Sequence, residues 1–248
     1  MCGRTSLFAD PELVRERFDA DPVRPLEPRY NVSPGQSHPV VRNDDPDAIR
    51  FPTWGLVPEW SDDSPSSGHV NARSETLTEK PSFREAFAER RCLVLADGFY
   101  DWKPTPTGKQ PYRIEREDRE PFAFAGLWEP RSEGAASSAT DDAAPDGGTT
   151  NGGRTGDAAT FTIVTTEPNA VVEEVHHRMP VMLSPGEERQ WLETDSTDAL
   201  ADLLDPYPAE EMHAYPVSSA VNDPKNDAPE LLEEVAAEED VQTGLDEF

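Results

Sequence analysis

RCLVLADGFYDW, residues 91–102, is the run that decides the fold class, because its aliphatic and aromatic residues predict a buried strand. Three further runs are strand-like: PYRIERE (111–117), AFAGLWEP (123–130) and TFTIVTTEP (160–168). Short helices are predicted for DPELVRERF (10–18), SFREAFAERR (82–91) and SPGEERQWLE (184–193). Strands outnumber helices and do not alternate regularly with them. The sequence therefore predicts an α+β domain with a curled, mainly antiparallel, barrel-like sheet and a few flanking helices.

The domain organisation follows from segments that have little to bury. Residues 131–160 contain no Val, Ile, Leu, Met, Phe, Tyr or Trp, so nothing in them offsets the entropy of ordering, and they predict a disordered insertion. Because strand-like runs flank it, we expect a long hairpin loop inside a single domain of residues 1–227. Residues 228–248 are predicted to be an acidic tail whose PELLEEVAAEED portion (229–240) is helical. Residues 61–68 predict a shorter surface loop.

The charge is strongly negative. The chain has 50 acidic and 22 basic residues, a formal net charge of −28, and only four of the bases are Lys. Such a surface suits a protein of a halophile, because molar salt screens charge repulsion within roughly 3 Å. An ordinary acidic protein with a disordered tail would have the same composition. In either case a broad basic patch is missing, so contacts with nucleic acid have to use a few well-placed Arg side chains.

Length and cysteine content limit the class of protein. A chain of 248 residues with 35% hydrophobic residues can build a real core. No stretch approaches the roughly 18 apolar residues of a membrane span, and the N-terminus lacks the apolar run of a signal peptide. With only Cys2 and Cys92, a disulfide framework is excluded. We therefore expect a cytoplasmic protein without a membrane partner.

Cys2 is the most informative single residue. Removal of Met1 would leave it with a free α-amine, and an N-terminal cysteine is a 1,2-aminothiol. The amine has an ordinary pKa of about 7.7–8 and the thiol one of about 8.5, so both are partly nucleophilic near neutral pH. The amine can capture an aldehyde as an imine, on which the thiol closes a thiazolidine ring. The same pair would serve an N-terminal nucleophile hydrolase, whereas a Cys2 that keeps Met1 would be a small buried residue.

Three other polar groups stand out, around Asn71, Asp101 and His176. Each has an ordinary explanation by itself, because Asn and Asp often form turns or caps and adjacent histidines are usually solvated. His176 and His177 point in different directions and have no Cys or Glu at ligand spacing, so no zinc site is expected. Cys92, inside an apolar strand, is interpreted as structural.

Nine motifs follow one another along the chain: MCGR (1–4), YNVSPGQ (30–36), WGLVPEW (54–60), NARSET (71–76), ADGFYDW (96–102), AGLWE (125–129), TIVTTEPN (162–169), HHRMPVML (176–183) and PVSSAVNDPKND (216–227). Together they resemble the SOS response-associated peptidase (SRAP) family, the HMCES-like proteins. The resemblance runs from Met1 to about Asp227 and is interrupted by the insertion at 131–160.

The resemblance implies an abasic-site sensor that shields single-stranded DNA in the DNA damage response. Family members attach through a thiazolidine between the N-terminal cysteine and the ring-opened sugar, often after self-processing of the first Met. They need no metal or other cofactor. The activity implied is that of a cysteine peptidase acting on Met1 and of a lyase-like crosslinking enzyme. We expect a monomer that is associated with the nucleoid while it is crosslinked.

Roles carry over to this sequence by motif. Cys2 is the nucleophile, Asn71 orients Cys2 and the sugar, and His176 handles protons during ring opening and reversal. Four residues are assigned to DNA binding: Arg4, Trp54, Arg73 and Arg178. Arg4 and Arg73 hold phosphates, and Trp54 with its apolar neighbours supports the groove.

One position departs from the family pattern. The proton-shuttling Glu before the Trp of the G-[FY]-Y-E-W motif is Asp101 here, and the shorter side chain withdraws the carboxylate by roughly 1–1.5 Å. A misplacement of that size can slow proton transfer by orders of magnitude. Asp101 keeps the assigned role, with Glu75 and Glu129 as alternative carboxylates.

Two rival functions stay open at this point. Cys2 would equally serve a peptidase or amidohydrolase, and a non-catalytic binder of modified nucleic acid would leave Cys2 incidental. Composition favours crosslinking, because binding through phosphate contacts weakens steeply as salt rises. A covalent bond is nearly independent of salt, so a protein with few bases could still stay on DNA.

Overall fold

The structure is a computed structural model that describes residues 3–61, 63–131 and 158–237. The α-helices in these ranges are α1 (Pro11–Phe18), α2 (Arg84–Glu89), α3 (Ala170–Glu173), α4 (Pro185–Glu193) and α5 (Thr197–Ala201). Over the described residues, none of the helices has the length and apolar character that crossing a membrane requires. The strands are β1 (Thr5–Leu7), β2 (Asp21–Pro22), β3 (Arg29–Val32), β4 (Val40–Arg42), β5 (Asp45–Arg50), β6 (Thr53–Trp54), β7 (Asn71–Arg73), β8 (Arg91–Ala96), β9 (Gly98–Thr105), β10 (Gly108–Arg116), β11 (Phe122–Pro130), β12 (Ala159–Thr166), β13 (Met179–Pro180), β14 (Met182–Leu183) and β15 (Met212–Pro216).

The strands form two sheets. The small sheet has the order β15-β10-β9-β1-β3. The large sheet has the order β13-β12-β11-β8-β4-β5-β2, with β14 on β11 and with β6 and β7 on β12. Pairing is antiparallel except between β2 and β5 and where β6 and β7 meet β12. The predicted α+β class with a curled, mainly antiparallel sheet is confirmed, but the described strands make two open sheets and no closed barrel.

The large sheet is buried on both faces, as β8 shows. Alternate side chains of a strand point to opposite faces. Cys92 and Val94 pack in a cluster with Phe99 of the small sheet, whereas Leu93 packs in the cluster that contains Trp191 of α4. The apolar run of β8 therefore serves two cores, one between the sheets and one beneath the helices.

The run 91–102 is not the single strand that its sequence predicts. It forms β8 in the large sheet and β9 in the small sheet, and Asp97 lies between them. The Asp97 carboxylate accepts hydrogen bonds from the Ser6 hydroxyl at 2.6 Å and from the Phe8 and Ala9 N–H groups at 2.5 and 3.2 Å. These bonds to the N-terminal segment hold the chain at the point where it leaves one sheet for the other.

A completely buried guanidinium, that of Arg113 on β10, stabilises this crossing point. Its Nε donates to Glu115 at 2.6 Å, Nη1 donates to the Ser6 hydroxyl at 2.9 Å, and Nη2 donates to the Asp97 carbonyl at 3.1 Å. A Cβ on Gly98 would lie 2.5 Å from the central carbon of this guanidinium, so only glycine leaves room for it. The cluster fixes β1 in its place between β9 and β3 of the small sheet.

The predicted helix starts are confirmed. Asp10 caps α1 by accepting from the N–H of Glu12 at 2.8 Å, and Pro11 occupies the first helical position. At α4 the Ser184 N–H donates to the Glu187 carboxylate at 2.8 Å. Both signals are local in sequence, which is why they could be predicted.

The predicted hairpin around the insertion is also confirmed. Strands β11 and β12 pair antiparallel up to Pro130 opposite Ala159, and the Arg131 N–H donates to the Ala158 carbonyl at 2.6 Å. Of the residues predicted to be disordered, 131–160, those from 132 to 157 lie outside the described residues, whereas Ala159 and Thr160 at the end of that range belong to β12. The predicted loop at 61–68 contains a 3₁₀ turn, Pro65–Ser67.

The segment after residue 227 differs from its prediction. Up to residue 237, where the described residues end, it contains a single 3₁₀ turn, Pro229–Leu232, and no α-helix. Leu231 is buried in a cluster with Tyr100 and Val217, and Glu234 forms a β-bridge with Val217. The start of the predicted acidic tail is therefore packed on the domain through Leu231, whose distant partners the sequence alone does not reveal.

Arg113→Met should destabilise the protein by about 3–5 kcal/mol, because it leaves Asp97 and Glu115 buried without their cation. Burial raises the pKa of Asp97 and Arg113 opposes that rise. Without Arg113 the pKa rises further, so lowering the pH neutralises Asp97 in the folded state and should shrink the deficit. Urea unfolding at several pH values measures both effects.

The matched control is Arg119→Met. Arg119 also contacts Glu115, at 3.5 Å, but its side chain is 78% exposed, so its loss should leave the free energy of unfolding nearly unchanged. Equal effects of the two substitutions, or a deficit in Arg113→Met that does not depend on pH, would contradict the assigned role of the cluster.

Candidate functional site

The candidate site lies at the C-terminal end of β12. At Thr165 this strand pairs with Arg73 of β7 on one side and with Pro180 of β13 on the other. The NARSET and HHRMPVML motifs, about a hundred residues apart in sequence, thus meet across one strand.

Strand β7 presents Asn71 and Arg73 to the same side. Ala72 between them is completely buried, so the side chains of its two neighbours point to the opposite face. Asn71 is half-buried and Arg73 is exposed. The alternation places an amide and a cation together on the face that leads to the groove described below.

His176 is held after α3, a short helix that Asn169 caps by accepting from the Val172 N–H at 3.0 Å. The main-chain N–H of His176 donates to the Val172 carbonyl at 2.8 Å. Its ring nitrogen Nδ1 lies 3.8 Å from Oδ2 of Asp101. His177 is exposed and stacks on His176 with ring centroids 4.2 Å apart. The first histidine of the pair is therefore the one that meets the acid.

The pair of Asp101 and His176 joins the two sheets, because Asp101 belongs to β9 of the small sheet. Asp101 is buried and accepts from the N–H of Trp102 at 2.9 Å. Burial lowers the pKa of His176, and the Asp101 carboxylate partly opposes this effect. Near neutral pH the imidazole is thus mostly neutral and can accept a proton, with a carboxylate beside it to stabilise the cation.

A groove of about 990 Å³ opens beside His176. Four basic residues line it, against three acidic ones: Arg73, Lys103, Lys109 and Arg178 against Glu167, Glu173 and Glu174. Because Arg178 is paired with Glu75, the groove is close to neutral, whereas the chain as a whole has more than twice as many acids as bases.

The sequence matches the family model described as SOS response associated peptidase (SRAP) over residues 1–224. The chain belongs to the SRAP family. Two proteins of Bacillus subtilis (strain 168), "Abasic site processing protein YoqW" and "Abasic site processing protein YoaM", are 41% and 40% identical to it over 242 residues. The alignments cover 94% of this chain and 99% and 98% of theirs. A crystal structure of a protein from Bacteroides thetaiotaomicron has a TM-score of 0.77 at 26% identity, covering 95% of this chain and 100% of that one.

Two lysines that line the groove lie outside the SRAP motifs. Lys103 on β9 lies opposite Gln110, and Lys109 on β10 lies opposite Pro104, so both belong to one hairpin. The one feature of the sequence that sets them apart is that lysine is rare: they are two of only four lysines in the chain.

Arg4 and Trp54, two of the predicted DNA-binding residues, are buried, whereas Arg73 is exposed. Arg4 is mostly buried, donates from Nη1 to Asn31 at 2.8 Å and to the Val221 carbonyl at 2.7 Å, and lies 5.9 Å from the Trp102 ring. Trp54 is completely buried and donates from its indole N–H to the Val70 carbonyl at 2.9 Å. Trp54 can therefore act only by packing, since no surface of it is open to a ligand.

The two alternative carboxylates, Glu129 and Glu75, lie near opposite ends of β12. Glu129 lies opposite Thr160 near the start of β12 and binds Arg90 at 2.9 Å, so it is at the wrong end of the strand to reach His176. Glu75 lies at the right end and forms an ion pair with Arg178, the fourth predicted DNA-binding residue. No group of three or more His, Cys, Asp or Glu side chains in the described ranges is arranged to hold a metal ion.

The predicted nucleophile, Cys2, lies outside the described residues. Two residues further along the chain, the Arg4 carbonyl accepts a hydrogen bond from the Tyr100 N–H at 2.9 Å. Because β1 runs antiparallel to β9, with Thr5 opposite Phe99, the chain enters β1 beside the part of β9 that carries Asp101.

Proposed function

We propose that the protein captures abasic sites in single-stranded DNA by a covalent bond to Cys2 after removal of Met1, and so shields them. The observation that carries the proposal is the Asp101–His176 pair, at a groove lined by several basic residues and beside the strand that Cys2 precedes. The printed names of the relatives, abasic site processing proteins, support the substrate class.

The covalent step is a condensation. The α-amine of Cys2 attacks the C1′ aldehyde of the ring-opened sugar, and loss of one water gives an imine. The Cys2 thiol then adds to the imine carbon, its proton moves to the nitrogen, and a thiazolidine ring closes. Overall one water is released and nothing is oxidised or reduced.

Asp101 and His176 supply the proton transfers that ring opening and dehydration need. A neutral imidazole can take the proton of the sugar hydroxyl, and the nearby carboxylate stabilises the imidazolium that forms. The 3.8 Å between Nδ1 and Oδ2 leaves the shorter Asp101 close enough for this electrostatic role. Asn71, on the same face as Arg73, would orient the sugar.

Arg73, Lys103 and Lys109 would hold phosphates on two walls of the groove. Arg73 comes from the large sheet and the lysines come from the β9–β10 hairpin of the small sheet. One chain supplies both walls and both proton-transfer groups, so a monomer suffices. Removal of Met1 is assigned to the same thiol, as self-processing. In the cell, crosslinking would bring a cytoplasmic protein to the nucleoid.

Cys2→Ser should abolish the denaturant-resistant complex, because a hydroxyl is too weak a nucleophile to close a stable five-membered ring on the imine. The measurement is a denaturing gel of protein mixed with an abasic oligonucleotide or an intact one. Cys92→Ser is the matched control. Cys92 is completely buried and its pKa is raised by burial, so its loss should leave crosslinking unchanged. Crosslinking by the Cys2→Ser variant, or crosslinking to the intact oligonucleotide, would contradict the proposal.

The double variant Lys103→Ala/Lys109→Ala should bind single-stranded DNA more weakly and with a smaller dependence on salt. The slope of log affinity against log salt should fall by about 0.7 for each phosphate that the variant no longer binds. An oligonucleotide with an aldehyde-free tetrahydrofuran analogue of the abasic site keeps binding reversible. Lys80→Ala, an exposed lysine outside the groove, is the control and should keep the wild-type slope. An unchanged slope in the double variant would show that the hairpin does not touch the phosphates.

A further inference from the structure

The guanidinium of Arg178 is already occupied by protein groups. Nη1 pairs with one carboxylate oxygen of Glu75, and Nη2 donates to the other at 3.0 Å. Nη2 also donates to the carbonyl of Thr165 at 2.6 Å. Arg178 lowers the pKa of Glu75, so the pair is ionised at neutral pH. A two-pronged pair of this kind fixes orientation as well as position, so residue 178 is anchored to β12 and to the turn that follows β7.

The main chain of the same residue holds the imidazole of His176. The Arg178 N–H donates to Nδ1 at 3.1 Å, and the Arg178 carbonyl lies 3.3 Å from the same nitrogen. The Arg178 N–H favours the tautomer that leaves Nδ1 bare and carries its hydrogen on Nε2. A proton on Nδ1 would instead be donated to the carbonyl. Both main-chain groups of residue 178 act on the same nitrogen, so a shift of this residue changes the position of the imidazole and the balance of its tautomers.

We infer that the Glu75–Arg178 ion pair positions His176, by holding the N–H and the carbonyl of Arg178 against Nδ1. Glu75 and Arg178 are thus positioning residues, and Arg178 acts on His176 through its main chain. The inference rests on the proposed function, in which His176 exchanges protons with the sugar. Because the imidazole is mostly neutral, its tautomer decides which nitrogen is basic and which donates.

Glu75→Gln tests the inference directly, because the amide cannot accept from both guanidinium nitrogens. Glu75 has a half-exposed side chain, so the variant should fold. Nitrogen-15 NMR of the His176 ring at neutral pH reports the tautomer without any DNA. The balance of the two tautomers in Glu75→Gln should differ clearly from that in wild type. The rate of denaturant-resistant complex formation should fall roughly 10- to 100-fold, as expected for a misplaced proton-transfer group.

Two further variants control for the loss of an ion pair as such. Glu129→Gln removes a carboxylate that binds Arg90 at the other end of β12, and should leave the His176 spectrum and the rate unchanged. Glu75→Asp keeps the charge at reduced reach and should give intermediate values. A wild-type His176 spectrum in folded Glu75→Gln would overturn the inference. If neither wild type nor any variant crosslinks, the proposed function is refuted. A changed His176 spectrum in Glu75→Gln would still support the positioning role in that case.

Discussion

The ionic contact between Arg113 and its two buried carboxylates is the interaction on which the architecture depends. Asp97 and Glu115 would each be costly to bury as lone anions, and a completely buried guanidinium between them removes that cost. The same guanidinium binds Ser6 of the N-terminal strand. Asp97 also marks the place where the chain passes from the large sheet to the small one. A single cation therefore fixes the junction of the sheets and the strand that leads back to the N-terminus.

The site is a consequence of that junction. Asp101 comes four residues after Asp97 on the strand that begins there, and the large sheet brings His176 to it from the end of β12. The N-terminal strand enters beside Tyr100, one residue from the same acid. Groups from three distant parts of the sequence are thus brought together by strand pairing, and the groove between them collects four of the few basic residues that the chain possesses.

What the sequence could predict is what it specifies locally. The cap at Asp10, the helix start at Ser184 and the hairpin that joins Pro130 to Ala159 depend on near neighbours or on simple strand patterns, and all were predicted. The break at Asp97 was not, because its hydrogen-bond donors lie about ninety residues away. For the same reason the burial of Leu231 was missed. The motifs selected Asp101 and His176, whereas the bond between Arg178 and Glu75 became visible only in three dimensions.

The central claim is that the bond to DNA forms at an N-terminal cysteine by condensation with an aldehyde. Intact mass spectrometry of the denatured complex with an abasic oligonucleotide tests it most directly. The account predicts one dominant species, whose mass is that of the protein without Met1 plus the oligonucleotide, less one water. A complex that retains Met1, or whose mass is the full sum of the two partners with no water lost, would contradict it.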